Sequence, residues 1–297
     1  MTTDLTNVMN IKVEKLHPVI GAKVTGIDWS GPLDEGTIAA LKSAFARHHV
    51  LLFPNGDISD ETHVAFSRCF SDLEVFPQGD MGTARLPEIY RVSNVDDNNQ
   101  ILPVESDTAR YQSLTQMWHT DGSYLPIPSL GAVLHGIEVT IQGGETQFAN
   151  MFAAYDALPD QMKTRLAPLK ARHSFQQPRA LKNLPAMKAA EAAKVPPVDQ
   201  PLVRQHPDGG RSLYLSPPLM EGIVGWSDGD SRALFDELIA HATQAQFVYR
   251  HTWSPHDILM WDNRCTMHCV LPYDSANTRR IMHRTALVGT DPVSPVT

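Results

Sequence analysis

The first third of the chain alternates short apolar runs with segments of helical periodicity. Residues 11–28 contain β-prone runs broken by glycines, whereas apolar side chains recur at helical spacing in residues 34–49. Val50–Phe53 is a continuous apolar run of strand length, and Ser59 is a suitable N-cap for a second helix. This pattern predicts strands flanked by helices.

The middle of the chain is predicted to form strands and then a helix. Residues 131–140 and 146–149 have strand character on either side of a glycine pair, and a helical stretch follows at residues 153–166. In residues 176–200 the composition shifts to Pro, Ala and Lys without an apolar stripe. We expect this segment to be a surface insertion or a lid.

The last third is predicted to contain one helix followed by strands. The helix covers residues 230–242. The strands after it share an apolar, β-prone character and lie at residues 246–253, 258–261, 266–270 and 279–287. We find no internal repeat, low-complexity tract or linker, and therefore predict a single domain over residues 1–297, mainly β with flanking helices.

The charge balance narrows the class of ligand. The chain has 33 acidic and 25 basic side chains, a formal net charge of −8. Its overall field repels phosphate backbones and anionic lipid surfaces, so we expect neither a nucleic-acid partner nor a membrane partner. An anionic ligand would need a local cluster of arginines.

Cysteine content and the absence of long apolar runs favour a cytoplasmic protein. Cys69, Cys265 and Cys269 are too few and too unevenly spaced for a secreted disulfide framework. The N-terminal residues lack the basic and apolar regions of an export signal, and no apolar run approaches the length of a bilayer span. We expect a reducing location, and a homo-oligomer is compatible with the sequence.

A histidine and a carboxylate two residues apart suggest a metal site. His119 and Asp121 would point to the same side of an extended chain, and His268 lies on a second apolar, strand-like segment. Two histidines and one carboxylate on one face of a metal are typical of non-haem Fe(II) oxygenases. Taken singly, each feature is equally compatible with a surface pair or a hydrogen-bonded core histidine.

Two arginines near the C-terminus share a predicted strand face. Arg280 and Arg284 are four residues apart, with Arg279 and His283 on the opposite face. Two guanidinium groups on a buried face are costly unless an anion pairs with them. That anion is either an internal carboxylate or a dicarboxylate cosubstrate bound beside the metal.

In these motifs the chain resembles the Fe(II)/2-oxoglutarate dioxygenases of the taurine dioxygenase and dichlorophenoxyacetate dioxygenase group. The resemblance covers most of the chain and is closer to the phenoxyacetate branch. It is carried by Trp118-His119-Thr120-Asp121, Gly143-Gly144-Glu145-Thr146, Trp261-Asp262-Asn263-Arg264 with His268, and Arg279-Arg280 with Arg284.

The resemblance implies a fold, a reaction and a set of site residues. The implied fold is a double-stranded β-helix, a cupin-like jelly roll with the metal at its mouth. The implied reaction uses Fe(II), O2 and 2-oxoglutarate, hydroxylates a small organic acid, and releases succinate and CO2. The implied catalytic and metal ligands are His119, Asp121 and His268, and the implied cosubstrate residues are Thr146, Trp261, Arg280 and Arg284, the last also near the acidic group of the substrate.

The substrate implied by the resemblance is a small anionic acid, aryloxyalkanoate-like or sulfonate-like. Where the taurine enzymes carry a sulfonate-binding histidine before a proline, this chain has Phe76 before Pro77, and Thr115 replaces an expected asparagine. These departures disfavour taurine itself. Phe76, Tyr124 and residues 215–223 are candidates for substrate selection.

Two other functional classes are compatible with the same residues. In one, His119, Asp121 and His268 hold zinc and activate water for hydrolysis, which would leave Thr146 and the arginines without a role. In the other, the chain is a sensor that binds 2-oxoglutarate without turning it over.

Overall fold

The computed structural model describes residues 11–75 and 86–296. The helices of this part of the chain are α1 (Glu35–His48), α2 (Asp60–Arg68), α3 (Asp107–Gln112), α4 (Met151–Asp156), α5 (Asp160–Leu166), α6 (Gln177–Leu181), α7 (Ala189–Ala192) and α8 (Asp228–Ala242). The strands are β1 (Lys12–Lys15), β2 (Ala22–Thr25), β3 (Val50–Phe53), β4 (Tyr90–Ser93), β5 (Gly131–Glu138), β6 (Thr146–Asn150), β7 (Lys170–His173), β8 (Val198–Pro201), β9 (Val203–Gln205), β10 (Arg211–Leu213), β11 (Met220–Ile223), β12 (Val248–His251), β13 (Ile258–Asp262), β14 (Thr266–Val270) and β15 (Ile281–Leu287).

A seven-stranded sheet forms the centre of the molecule. Its strand order is β1-β2-β3-β13-β5-β15-β4, and every pair except β2 with β3 is antiparallel. The order is far from the chain order, so strands distant in sequence become neighbours. The two central strands β5 and β13 are hydrogen bonded on both edges.

Continuous apolar runs form the middle of this sheet because both of its faces are buried. Leu51 and Phe53 of β3 pack in a core with the helices α1 and α2, whereas Val50 and Leu52 pack in a second core on the other face. The side chains of β13 are distributed between the same two cores, since alternate side chains of a strand point to opposite faces. A strand covered on both sides has no polar face.

A smaller sheet faces the large one and completes the jelly roll. Its order is β12-β6-β14, and Phe148 of β6 packs between the sheets against Trp261 of β13, with ring centroids 5.7 Å apart. The outer side of β6 and β14 carries Ala149 and Met267, which pack with the helices α4 and α8. The fold is thus the cupin-like arrangement of two facing sheets with helices outside, as predicted.

Proline divides one predicted helix into two. The helical stretch expected over residues 153–166 is α4 followed by α5, with Pro159 between them at the N-cap of α5. Proline lacks the amide hydrogen that a continuous helix would need at this position. The strand predicted at residues 246–253 begins with a short 3-10 turn, so its extended part is only β12.

The segment 176–200 is mostly surface. It contains α6, α7 and the start of β8, and most of its side chains are exposed or half-buried. The guanidinium of Arg110 in α3 donates to the carbonyl groups of Lys182 and Asn183 at the end of α6. A role of this segment as a lid stays a prediction, as does the single-domain organisation over residues 1–297.

Across the residues that the structure describes, none of the helices has the length and apolar character needed to cross a membrane.

Candidate active site

Two histidines distant in sequence are joined by backbone hydrogen bonds. The amide of His119 donates to the carbonyl of His268 at 2.9 Å, and the amide of His268 donates to the carbonyl of His119 at 2.8 Å. This reciprocal pair adds the segment around His119 to the edge of β14. The imidazole rings of the two residues therefore lie side by side, with centroids 4.1 Å apart.

The ring of His268 lies between the two sheets. His268 is the cross-strand partner of Phe148, and their rings stack with centroids 6.0 Å apart. The neighbouring residue Met267 points to the opposite side, into the outer core. The alternation along β14 thus directs one imidazole inward from an otherwise apolar strand.

A tight turn after His119 brings Asp121 to the same point. Gly122 follows with φ +69°, and a Cβ atom at this position would collide with the hydroxyl of Ser129. Glycine is therefore required where the chain turns past Ser129. The amide of Asp121 donates to the Oδ1 atom of Asn263 at 3.4 Å, which ties the turn to the loop between β13 and β14.

The three side chains converge as ligands of one metal ion would. The Nε2 atom of His119 lies 3.8 Å from Asp121 Oδ1, and the Nε2 atom of His268 lies 3.6 Å from Asp121 Oδ2. These separations are too long for hydrogen bonds. Two atoms that each bind a common ion at about 2.1 Å lie up to about 4.2 Å apart, so the spacing fits shared coordination.

The protonation states suit metal ligands. Burial lowers the pKa of both imidazoles, which keeps His119 and His268 neutral. Burial would raise the pKa of Asp121, but the charge and the hydrogen bond of Arg284 hold it well below the usual range of carboxyl groups. The Nδ1 atom of His119 lies 2.7 Å from the carbonyl of Met117, which directs Nε2 toward Asp121.

One buried oxygen of Asp121 has no hydrogen-bond partner among the described residues. Its Oδ2 atom accepts no hydrogen bond from any of them, whereas Oδ1 accepts from Arg284. A buried carboxylate oxygen without a donor is costly, and an ion bound between the three side chains would satisfy it. The donor set, two neutral imidazoles and a carboxylate, is also the facial set of non-haem iron sites.

The predicted strand face of the two arginines is present in the structure. Met282 of β15 packs between the sheets, and Arg280 and Arg284 lie on the same side of the chain, whereas His283 contacts Asp60 of α2 on the other side. Arg279, just before β15, pairs with Glu138 of β5.

The two inward arginines have different surroundings. The NH1 group of Arg284 donates to Asp121 Oδ1 at 2.9 Å, and its guanidinium lies 5.2 Å from the ring centre of Tyr90. Arg280 is only 4% exposed and has no carboxylate partner among the described residues, and its NH2 group donates to none of them. Burial lowers the pKa of Arg280, while Tyr273 opposes this shift. Of the two alternatives from the sequence, an internal ion pair is present for Arg284, whereas Arg280 forms none with the described residues.

Thr146 lies at the start of β6, two residues beyond a glycine that approaches Arg280. A Cβ atom on Gly144 would lie 3.5 Å from the Nε atom of Arg280. The hydroxyl of Thr146 is buried and accepts a hydrogen bond from the indole of Trp253 at 2.9 Å. The sequence did not single out Trp253, because no local motif marks a tryptophan that bonds a residue 107 positions away.

Trp261 lies against a metal-ligand candidate. Its ring centroid is 4.7 Å from that of His268, and its indole donates to Asn263 Oδ1 at 3.0 Å. Asn263 therefore connects Trp261 with the amide of Asp121. Asp262, by contrast, is held by Arg264 through two hydrogen bonds of 2.9 and 2.7 Å.

A group of aromatic side chains borders Arg284. Tyr90 and Tyr111 are half-buried, and burial raises the pKa of both hydroxyls while the charge of Arg284 opposes that rise. Tyr124 stacks on Phe175 with ring centroids 4.7 Å apart. Among these, only Tyr124 was named from the sequence. Phe76, the other aromatic candidate for substrate selection, lies outside the described residues.

The cysteines near His268 are not part of this site. Cys265 and Cys269 are buried free thiols, and burial raises the pKa of both. Cys265 lies close to His49 and Asp262, but the carboxylate of Asp262 is already engaged by Arg264. That positive charge disfavours a second cation there.

Comparison with known proteins gives relatives that span nearly the whole chain. An alpha-ketoglutarate-dependent 2,4-dichlorophenoxyacetate dioxygenase of Cupriavidus pinatubonensis is 32% identical over 94% of this chain and 98% of its own length. An (S)-phenoxypropionate/alpha-ketoglutarate-dioxygenase of Sphingobium herbicidovorans is 34% identical over 95% of this chain and 96% of its own length. The crystal structure of AAD-2 in complex with Mn(II) and N-oxalylglycine superposes with a TM-score of 0.87 at 36% identity, covering 97% of this chain and 100% of AAD-2.

The family model for the taurine catabolism dioxygenases matches residues 12–286, a range that contains both sheets, the three converging side chains and the arginine strand. The resemblance found in the sequence motifs is thereby confirmed. The chain belongs to the taurine catabolism dioxygenase TauD, TfdA family.

Proposed function

We propose that this protein hydroxylates an aryloxyalkanoate-type carboxylic acid, with His119, Asp121 and His268 as its iron ligands. The general reaction is that of its family: the enzyme is a non-haem iron dioxygenase that uses Fe(II), 2-oxoglutarate and O2. The observation that carries the proposal is the convergence of the three side chains, together with a buried guanidinium, Arg280, that has no carboxylate partner among the described residues.

The chain's own groups would fix the metal with little rearrangement. Both imidazoles are neutral, and the carboxylate is ionised and already oriented by Arg284. Bound iron supplies the reduction of O2 that is coupled to the oxidation of 2-oxoglutarate to succinate and CO2 and to the hydroxylation of a C–H bond. The protein supplies the positions of these side chains.

Arg280 and Thr146 are the proposed partners of the distal carboxylate of 2-oxoglutarate. A buried guanidinium is stable only with an anion, and a carboxylate matches its two parallel N–H groups. This pairing gives Arg280 and Thr146 a role that the zinc hydrolase alternative lacks. Trp261, which contacts His268, would border the same pocket.

Arg284 and the aromatic side chains near it are the proposed substrate region. Arg284 retains a positive charge: burial is the largest single influence on its pKa and lowers it, but Asp121, Tyr90 and Glu74 together raise the pKa by more. A substrate carboxylate could bind this cation while an aryl group packs against Tyr90, Tyr111 or Tyr124. The relatives named for phenoxy acids support an aryloxy group ahead of a sulfonate.

The chemistry on such a substrate ends in bond cleavage. Hydroxylation of the carbon that bears the ether oxygen gives a hemiacetal or hemiketal. This product breaks its C–O bond to the aryloxy group, with a proton passing to the leaving oxygen, and yields a phenol and an oxo acid. Phenol and succinate should therefore appear in equal amounts.

The test is a parallel measurement of succinate and phenol with Fe(II), ascorbate, 2-oxoglutarate and O2. We expect coupled turnover with phenoxyacetate or one enantiomer of 2-phenoxypropionate, and less with alkyl sulfonates. The variant His119→Ala should lower turnover by more than about 100-fold, because loss of a ligand costs more than loss of its supporting contacts. The control His256→Ala removes a half-exposed histidine that pairs with Asp57, and should leave turnover unchanged.

The outcomes separate the proposal from its competitors. Turnover of sulfonates alone would overturn the aryloxy assignment. Succinate that never exceeds the substrate-free background with any acid would favour a sensor. Full activity of His119→Ala would overturn the ligand assignment.

A further inference from the structure

The hydrogen bond between Trp253 and Thr146 determines what the threonine hydroxyl can do. The Nε1 atom of Trp253 lies 2.9 Å from the Oγ1 atom of Thr146, and both residues are buried. An indole N–H is only a donor, so Thr146 must accept this bond. The hydroxyl hydrogen of Thr146 is then left to donate in another direction.

The position of the indole is fixed by its neighbours. His251, the last residue of β12, is the cross-strand partner of Thr146, and Trp253 follows two residues later. The rings of His251 and Trp253 meet edge to face, with centroids 4.8 Å apart at 85°. His251 is itself 3.2 Å from the carboxylate of Asp257, which also accepts from the amide of Ser254. The indole therefore has little freedom to turn away from Thr146.

The hydrogen of the Thr146 hydroxyl has no acceptor among the described residues. The bond from Trp253 is the one side-chain hydrogen bond that Thr146 makes with them. The guanidinium of Arg280 lies next to Gly144, two residues before Thr146, and has no carboxylate partner among the described residues. Both observations point to a negatively charged acceptor that is not among the described residues.

We propose that Trp253 is a positioning residue that sets the Thr146 hydroxyl as a donor to the distal carboxylate of 2-oxoglutarate. The inference rests on the proposed function of Arg280 and Thr146. It adds a group that does not touch the cosubstrate but orients one that does. Without the indole N–H, the hydroxyl of Thr146 rotates freely and donates to the carboxylate only part of the time.

The first test measures 2-oxoglutarate binding directly. With Zn(II) in place of iron to prevent turnover, calorimetry should show that Trp253→Phe raises the dissociation constant of 2-oxoglutarate by about 3- to 10-fold, the range expected for one hydrogen bond. With Fe(II) and saturating 2-oxoglutarate, kcat should stay within about twofold of wild type, since the chemical step is not affected. The matched control Trp226→Phe removes a tryptophan that packs on Arg165 outside the site, and should change neither quantity.

A double-mutant cycle separates orientation from packing. Thr146→Val should weaken binding by itself, and Trp253→Phe should then add nothing, because the hydroxyl on which it acts is gone. Thr146→Ser keeps the hydroxyl and should keep the sensitivity to Trp253→Phe. An equal rise in both backgrounds would show that Trp253 acts through packing and would overturn the proposal.

A spectroscopic readout covers the case in which Trp253→Phe folds poorly. The chain has five tryptophans, so the indole N–H signals of the zinc-loaded protein form a small set in which Thr146→Val should move one. The same signal should move when 2-oxoglutarate is added to the wild type. A signal unaffected by either change would contradict the inference. If the wild type does not bind 2-oxoglutarate at all, the proposed function fails first.

Discussion

Adjacent arginines in this protein have opposite environments. Arg280 is buried without a carboxylate partner in the described chain, whereas Arg279 is half-buried with its guanidinium bonded to Glu138 and Asn99. The difference arises because successive residues of an extended chain point to opposite faces. A substitution of Arg280 can therefore be compared with the same substitution of its neighbour Arg279 as a matched control.

Replacement of Arg280 should weaken the cosubstrate site specifically. Arg280→Lys keeps the charge but loses the planar pair of donors, so we expect the KM for 2-oxoglutarate to rise by about 10- to 100-fold, equivalent to about 1.5–3 kcal/mol. Arg279→Lys alters an exposed ion pair and should change this KM by less than about twofold. Steady-state kinetics at varied 2-oxoglutarate concentration gives the KM of both variants. An equal effect of the two substitutions would contradict the assignment.

The sequence predicted which residues share a face but not what they bond to. The four-residue spacing was enough to predict that Arg280 and Arg284 lie on the same face of the strand. The partner of Arg284 is Asp121, 163 residues away, and that of Thr146 is Trp253, so both contacts depend on strand order in three dimensions. Hydrogen bonds of this kind leave no periodic signal in the chain.

At the scale of elements, the turn between β13 and β14 positions one metal-ligand candidate. Asp262 is buried at the end of β13 and accepts from both the backbone and the guanidinium of Arg264. The hydroxyl of Thr266 donates to the carbonyl of Asp262 at 2.8 Å. These bonds set where β14 begins, and hence the position of His268.

Loss of Arg264 should destabilise this turn. Arg264→Met leaves the buried carboxylate of Asp262 without its ion-pair partner, and we expect the free energy of unfolding to fall by about 2–4 kcal/mol. The control Arg250→Met removes the partner of Glu145 from a pair whose arginine is 53% exposed, and should cost at most about 1 kcal/mol. Urea unfolding measures both. Equal losses would show that the turn does not depend on this pair.

The strands whose bounds were predicted correctly are the deeply buried ones. Val50–Phe53 and the strand at residues 266–270 were found with their bounds, because strands buried on both faces are mainly apolar along their whole length. The end of β5 was placed two residues too late, and β15 begins two residues after its predicted start. These ends depend on pairing with a neighbour, which the local pattern does not contain.

At the scale of the whole molecule, a group of histidines lies on the helix-covered side of the large sheet. His63 of α2 and His135 of β5 are buried with ring centroids 6.1 Å apart, and His256 lies 5.9 Å from His135. Neither ring nitrogen of His135 has a hydrogen-bond partner among the described residues. Burial lowers the pKa of His63 to about 3 and that of His135 to about 4, from 6.5.

These histidines should make the fold sensitive to acid. Below about pH 6.5 the unfolded chain binds protons at both residues, whereas the native protein does not until about pH 4 for His135 and pH 3 for His63. Stability should therefore fall as the pH drops through this window, by up to about 1.4 kcal/mol per pH unit for each histidine. Below about pH 3 both states are protonated, and this contribution stops changing.

The variant His135→Leu should flatten the acid dependence. It removes one of the two titrating groups, so the slope of unfolding free energy against pH between about 4 and 6 should decrease by up to about 1.4 kcal/mol per unit. Urea unfolding at several pH values gives both slopes. A variant with the slope of the wild type would show that His135 does not contribute.

The reciprocal backbone bonds between His119 and His268 have a consequence for how the enzyme acquires iron. These bonds hold side by side two imidazoles that come from opposite halves of the chain. The conformational entropy lost in bringing them together is therefore lost on folding, before the metal binds. Uptake of the ion then orders few additional atoms. Enzyme stripped by a chelator should accordingly regain full occupancy when ferrous salt is restored, without passing through an unfolded state.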